Sequence, residues 1–438
     1  MKKVLIMLSI LAVMLPLTAG AQEIIKKGEL VTLDRAIEIA IKKHPNISAA
    51  LGSVEASQSR VRQAESGLYP QIDLSAGYSR IKSTSSSSGV LSAETGTVVP
   101  LSDRGSFDQY SGSISLRQTL FDFGKTRTQV DIEGLNLEAS KNDLSGATDL
   151  VVFNVKQAYF GVLRGRKNRD VADDTVKQFM KHLDQAKGFF EVGTKPKFDV
   201  TKAEVDLSNA RLGLIKAENA LKVAVVSLNN TLGVPEAPDY LLEDNLSFQK
   251  YLITFDEALE KAYKNRPDLL ALVAKRAAAE KAVALAQKGY YPFISGNAAY
   301  NRAGESFPLG EGWNVGATLS FPIFSGFLTK GQVEEAKANL AVIRANEETL
   351  RQSILLEIQQ DYLALNEAEE LIANTELTVR QATENLDIAT GRYAAGVGNP
   401  IEVTDAEVSL ANARASHIQA LYDYKVSRAR IEKAIGTR

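Results

Sequence analysis

The 438-residue sequence contains no cysteine, which excludes disulfides, thiolate metal sites and a lipid carried on an N-terminal cysteine. An excess of charge of either sign is also missing. The 51 Lys and Arg against 53 Asp and Glu leave a net charge of -2, so no basic field would gather nucleic acid, and none is expected as a partner. The three histidines, His44, His182 and His417, are far apart and lack metal-ligand spacing. No nucleophile elbow, paired catalytic constellation or phosphate-cradling Gly-Lys motif is present. An enzyme is not expected, nor is a cofactor or a metal. Beyond the first residues no apolar run is long enough to cross a bilayer as a helix, so a membrane protein of this sequence crosses by strands.

At the N-terminus, Met1-Lys2-Lys3 precedes an apolar run from Val4 to Leu17 and then Ala19-Gly20-Ala21. This is the order of a cleavable secretory signal over residues 1–21, leaving Gln22 first. Read instead as an uncleaved anchor, the run falls short of the roughly 20 residues that a spanning helix needs.

The most informative feature is an internal duplication. Thr32-Leu33-Asp34 matches Thr254-Phe255-Asp256, His44-Pro45 matches Arg266-Pro267, Leu68-Tyr69-Pro70 matches Tyr290-Tyr291-Pro292 and Tyr78 matches Tyr300, each 222 residues apart. Leu120-Phe121 matches Ile323-Phe324, Gln157-Ala158-Tyr159 matches Gln360-Asp361-Tyr362 and Leu232-Gly233 matches Ile435-Gly436, each 203 apart. Between 198–213 and 401–416, 9 of 16 aligned positions are identical. The change of offset places 19 extra residues in the first copy between Tyr78 and Leu120, where the serine run from Ser83 to Ser88 and Gly89 read as a lengthened exposed loop. The chain divides into a first repeat at 22–233, a linker at 234–253 and a second repeat at 254–436.

Each copy opens with a helix that starts at a capping residue, and the pattern predicts it to run to about Gly67 and about Gly289. Period-two alternation then predicts strands at 71–81 and 107–120, and at 293–303 and 312–322. Ile72, Leu74, Ala76 and Tyr78 interleave with Asp73, Ser75 and Gly77; Trp313, Val315, Ala317 and Leu319 interleave with Asn314, Gly316 and Thr318. An apolar face, a polar face and bounding aromatics suit membrane strands, with Tyr78, Tyr300 and Trp313 as interface anchors. The same alternation also describes two soluble hairpins with one packed face; export favours the membrane reading. Proline is then absent from Lys125 to Lys195 and from Ile323 to Asn399, and helices totalling about 70 residues would reach roughly 100 Å. Gly193-Thr194-Lys195-Pro196 and Gly396-Val397-Gly398-Asn399-Pro400 turn each chain back into a second amphipathic helix, giving one long antiparallel hairpin per copy.

Four strands cannot close a barrel in lipid, because an open edge leaves backbone groups unsatisfied, so the chain must share a barrel with copies of itself. At this point the chain resembles the TolC-like outer membrane efflux protein family. The resemblance rests on the signal, on Leu33-Asp34-Arg35-Ala36 and Phe255-Asp256-Glu257-Ala258, on His44-Pro45 and Arg266-Pro267, and on the glycine tips followed by Asp199-Val200 and Glu402-Val403. It implies a mainly helical protein with four membrane strands, trimeric around one twelve-stranded barrel, with an α-helical tunnel reaching into the periplasm of a Gram-negative cell. It also implies a periplasmic adaptor and an inner-membrane pump of the resistance-nodulation-division, ABC or major-facilitator type, which supplies the energy and the specificity.

The resemblance further places a cation-attracting constriction at Glu402 and Asp405, with Asp199 in the first copy, and adaptor contacts at Gly193, Thr194, Gly396 and Val397. A ring of like charge in a narrow pore focuses potential. Acids in a first helical turn equally serve to cap it, and the glycines equally serve as C-caps. Lys202 stands where the second copy has Asp405, and Lys195 makes the first tip basic; these lysines are expected to pair with Glu402 or Asp405 of a neighbouring tip and hold a channel shut. The competing reading from another class is an exported periplasmic coiled-coil scaffold without a pore.

Overall fold

A computed structural model describes residues 25–82, 90–91, 98–99 and 106–437. The signal at 1–21 and the serine-rich stretch at 83–89 lie outside the described residues. In chain order the elements are β1 (Leu30–Val31), α1 (Leu33–Lys43), α2 (Pro45–Glu65), β2 (Gln71–Ile81), β3 (Val90–Leu91), β4 (Val98–Val99), β5 (Phe107–Phe121), α3 (Lys125–Glu191), α4 (Lys197–Leu232), β6 (Leu241–Leu242), α5 (Phe255–Asn265), α6 (Pro267–Gln287), β7 (Phe293–Gly304), β8 (Gly310–Ser320), α7 (Leu328–Ala394) and α8 (Pro400–Ala434). The repeats are the same fold twice, with α1–α4 answered by α5–α8.

The opening helix of each copy is broken where a single helix was expected. Pro45 and Pro267 lack an N–H and push the preceding residue into extended backbone; His44 and Arg266 accordingly have ψ of 127° and 118°. Each such residue ends one helix and begins the next. His44 donates its N–H to Ala40 O, and its Nδ1 accepts from Asn46 N at 3.2 Å.

Strands β2, β5, β7 and β8 form one antiparallel sheet in that order, with β2 and β8 as its free edges in the single chain. The last strand starts and stops two residues earlier than its alternation suggested. Register fixes the faces, since side chains alternate along a strand. Ile72, Leu74, Ala76 and Tyr78 lie opposite Leu116, Ile114, Gly112 and Tyr110, and on the same face Tyr300 lies opposite Trp313 and Ala298 opposite Val315. The other face is polar: Ser75 lies opposite Ser113, hydroxyl to hydroxyl at 2.7 Å, and Asn297 opposite Gly316. A bulge between Thr119 and Phe121 keeps Phe121 on the apolar face, opposite Ile294.

The long helices need no break. Each of α3 and α7 runs 67 residues, about 100 Å at the standard rise. Their return helices, α4 with 36 residues and α8 with 35, retrace only half that length. The upper half of α3 is flanked instead by α2 and α6, while α4 and α8 accompany its lower half.

Where the halves meet, the stretch 234–253 is part of the core rather than a bare linker. β6 pairs in parallel with β1, and Leu242 and Leu246 are buried with Val31, Ile39, Leu163 and Leu228. The buried Tyr159 hydroxyl of α3 lies 2.9 Å from Glu243 O and 3.2 Å from Val31 O. Tyr424 of α8 holds the other end, donating to Gln249 O at 2.9 Å and accepting from Tyr251 N at 2.8 Å. Just above, the return helices end on Gly233 (φ +73°) and near Gly436 (φ +67°), where a Cβ would lie 2.9 Å from Lys43 O and 2.8 Å from Asn265 O. The duplication thus preserves one close approach of backbone to backbone. Gly233→Ala and Gly436→Ala are each expected to destabilise the chain by about 1–3 kcal/mol from backbone strain, before any steric cost. Urea unfolding followed by circular dichroism checks this; an unchanged midpoint for either variant would contradict the close approach.

Candidate functional site at the helix tips

The two helical hairpins turn at the end of the molecule remote from the sheet. In the first, Gly193 takes φ +73° and donates to Phe190 O, while the N–H and hydroxyl of Thr194 both reach Phe189 O at 2.9 Å. In the second, Gly396 takes φ +79°, and the N–H groups of Val397 and Gly398 both reach Arg392 O. These are helix C-caps in which glycine takes left-handed backbone without a Cβ clash. Gly398 is needed for space, since a Cβ there would lie 2.7 Å from Tyr393 N. Asn399 then caps α8, its side-chain oxygen accepting from Ile401 N at 2.9 Å. Gly193, Thr194, Gly396 and Val397 are all exposed.

The acids divide by copy. Glu402 and Asp405, one turn apart at the start of α8, both face solvent. Glu402 lies 3.4 Å from the Arg392 guanidinium at the end of α7, so each end of the turn carries the charge that suits its helix terminus. Asp199, the first-copy counterpart of Glu402, is instead 5% exposed. It sits beside Tyr393, whose phenol is pushed up first by burial and then by the Asp199 charge. The Tyr393 hydroxyl has no hydrogen-bond partner among the described residues.

The lysines have partners within the chain. Lys202 reaches both carboxylate oxygens of Asp206, one turn along α4, at 2.6 Å. The Lys195 ammonium lies 5.4 Å from the centre of the Tyr393 ring. Tyr393 therefore links the hairpins: it belongs to α7 and packs against His182 and Phe189 of α3. The expectation from sequence brought together the acids and lysines but missed Arg392, Tyr393, Thr404, Asp206 and Glu407, which carry the contacts within and between hairpins. Only Tyr393 left a trace, as an aromatic three residues before a tip glycine.

The histidines are structural. His44 caps α2, His417 Nδ1 lies 3.1 Å from Thr375 Oγ1, and His182 is buried between the hairpins, its imidazole pushed down by that burial against the opposing pull of Asp206 and Asp199. Among the described residues no group of His, Asp or Glu is arranged to hold a metal ion, and no helix is long and apolar enough to cross a membrane.

At the other end of the molecule, Tyr78, Tyr300 and Trp313 project from the apolar face of the sheet, with Trp313 77% exposed. A second aromatic group lies where strands give way to helices: Phe121 packs edge-on to Phe123, Phe123 stacks on Tyr291, and Phe324 meets Phe327. Along β5 the span from Tyr110 to Phe121 is about 36 Å at the strand rise, or about 28 Å across a bilayer at the usual tilt.

Comparison with known proteins agrees with this geometry. Escherichia coli K12 outer membrane protein TolC is 24% identical over 414 residues, covering 90% of this chain and 80% of that protein. Among solved structures, the outer membrane protein VceC of Vibrio cholerae superposes with a TM-score of 0.75 at 21% identity, over 92% of this chain and 96% of that one. The open-state MtrE outer membrane channel of Neisseria gonorrhoeae gives 0.76 at 19% identity, over 92% and 89%. The family described as Outer membrane efflux protein matches residues 36–234 and 258–437, one match in each repeat, and the chain belongs to that family.

Proposed function

We propose that three copies of this chain close a twelve-stranded barrel in the outer membrane of a Gram-negative cell and continue it into the periplasm as an α-helical tunnel, gated at the tips. The observation that carries this reading is the sheet itself: four strands with one continuous apolar face, one polar face and two free edges. In hydrocarbon each unpaired backbone group on those edges costs several kcal/mol, and neighbouring copies are the partners whose edges match. The polar face then lines a lumen and the apolar face meets lipid. Without cysteine, the chain reaches the membrane by its strands and not by a thioether lipid.

The tunnel passes substrates delivered from a periplasmic adaptor and an inner-membrane pump of the resistance-nodulation-division, ABC or major-facilitator type, in efflux or type I secretion. The adaptor meets the exposed tips at Gly193, Thr194, Gly396 and Val397, beside the exposed Val192 and Phe198. Around the threefold axis Glu402 and Asp405 form the constriction, with Asp199 behind them. A narrow ring of carboxylates there attracts cations and repels anions. In this arrangement Lys195 and Lys202 lie within the first-copy tips, where they are open to exchange between their own partners and the acids of a neighbour.

Because no native cysteine is present, cysteine pairs with one member on β2 and one on β8 are expected to give covalent trimers on non-reducing gels. Only monomeric or dimeric species across such a scan would exclude the shared barrel. Replacing Glu402 and Asp405 together by Lys removes the Arg392 ion pair and reverses the ring's charge. Single-channel recordings in planar bilayers should then show a several-fold larger resting conductance and weaker cation selectivity than wild type. Unchanged currents would reject the constriction, and no current from folded oligomer would favour the scaffold without a pore.

A further inference from the structure

Just above the tips lies a buried acid that neither the caps nor the constriction uses. Glu407 of α8 is 7% exposed, and its Oε2 has no hydrogen-bond partner among the described residues. Its counterpart in the first repeat, Glu204, is exposed on α4, so burial of this glutamate is not inherited from the duplication. It arises because the second-copy hairpin lies against the first.

The contact between hairpins is polar at this level. Thr404, one turn before Glu407, donates to Asp206 of α4 at 2.9 Å, and Lys202 of α4 completes the Asp206 carboxylate. Asp206 is itself only 8% exposed. Among the described residues no cation is paired with Glu407. From α3 come Thr175 and Gln178, which line the crevice with Leu410 and Arg414, and His182, pushed toward its neutral form by burial. The guanidinium of Arg414 lies 3.9 Å from Asp174 of α3. From α7, Tyr393 packs on His182. Glu407 thus faces Asp206 across a buried seam, and the lysine there, Lys202, is already engaged by Asp206.

We propose that Glu407, with Asp206 and Thr404, is a proton-operated latch between the two hairpins: protonated, it lets α8 pack against α3 and α4, and ionised, it drives the tips apart. This rests on the reading of the chain as a tip-gated channel. An ionised carboxylate in this seam loses its hydration and faces Asp206, whereas the neutral acid leaves a single-lysine, single-aspartate pair bridged by Thr404. Swinging α8 away from α3 and α4 would return Glu407 to water. Burial first, and the Asp206 charge second, raise the Glu407 carboxyl to about 7. The sign follows: the closed packing holds a proton that the open one releases, so closure is strongest on the acid side. It weakens as pH rises from the ordinary carboxylate range to about 7, and is level above that.

The test is planar-bilayer recording of the full chain from about pH 5 to about pH 8, comparing wild type with Glu407→Gln, alongside pH-difference infrared spectra of both. One pKa unit corresponds to a tenfold change in equilibrium; the wild-type open-to-closed ratio is expected to rise at least about tenfold across the range, and the Glu407→Gln ratio to stay low and flat. Glu402 and Asp405 are present in both proteins, so their contribution cancels in the comparison. In the spectra, wild type should show near neutral pH a protonated-carboxyl component that Glu407→Gln lacks, over and above the one both proteins share from the buried Asp361, whose carboxyl burial raises to about 6. Parallel pH profiles for the two proteins would overturn the latch and leave the channel reading standing. If folded oligomer conducts at no pH, the channel reading fails, and identical carboxyl bands in the two proteins would overturn protonation of Glu407 independently of any current.

Discussion

A strand edge in hydrocarbon has no water to turn to. That constraint organises most of this molecule, because a chain that supplies four strands must find partner strands elsewhere or keep its sheet out of lipid. The consequences run down the chain. If copies share a barrel, each contributes helices to a continuous tunnel, so each helix must sit at an equivalent place around an axis. A tandem duplication achieves this within one chain: two similar repeats supply strands and helices at regular intervals, and β5 pairing with β7 joins the copies inside one sheet. The 67-residue helices then carry the same spacing away from the membrane. Their half-length returns leave room for α2 and α6 to pack on the half of α3 nearer the strands.

Duplication alone would make a symmetric tip, and the tip is not symmetric. Asp199 and Glu402 occupy equivalent positions, yet one is buried and the other solvated; Lys202 stands opposite Asp405, and exposed Glu204 opposite buried Glu407. The difference follows from packing. Aromatic Tyr393 of the second hairpin inserts against His182 and Phe189 of the first, which covers the first-copy acid and turns the second-copy acids outward. The apolar seam within each hairpin is separate, with Ala382, Leu386 and Leu410 in one and Phe179, Leu183 and Leu207 in the other. Each hairpin therefore has its own apolar seam, and between them run the aromatic contacts of Tyr393 and the polar contact of Thr404 with Asp206.

Much of the architecture was legible in the sequence because its signals are periodic or punctuated. Alternation gave the strands, missing proline gave the long helices, and repeated Gly and Pro gave the turns. The break at His44-Pro45 and Arg266-Pro267 was visible in the same punctuation, but helical patterning on both sides concealed it; only the restriction on the residue before proline separates α1 from α2. The stretch 234–253 looked like a connection because Leu241–Leu242 is too short to register as a strand, and its role depends on tyrosines from distant helices. Within the tips, caps and exposed acids could be read locally. The Thr404 to Asp206 bond spans 198 residues, and burial of Glu407 depends on a neighbour in another repeat, so no local pattern announces either.

The separation between what is rigid and what is adjustable follows from the same chemistry. At the middle of the molecule, helices, the short parallel pair and the intervening chain are joined by buried leucines and tyrosine hydroxyls to backbone carbonyls. Those contacts resist motion because a buried carbonyl that loses its donor finds no water to replace it. At the tips the contacts are an exposed ion pair, a ring contact and a buried acid with an unpartnered oxygen. The ring contact and the buried acid both gain hydration when the hairpins part, while the ion pair lies within one hairpin and is untouched, so separation there costs little of what holds each hairpin together. A tube that must stay sealed along its length yet open at one end is served by this gradient, from satisfied apolar packing at its middle to partly satisfied polar packing at its tip.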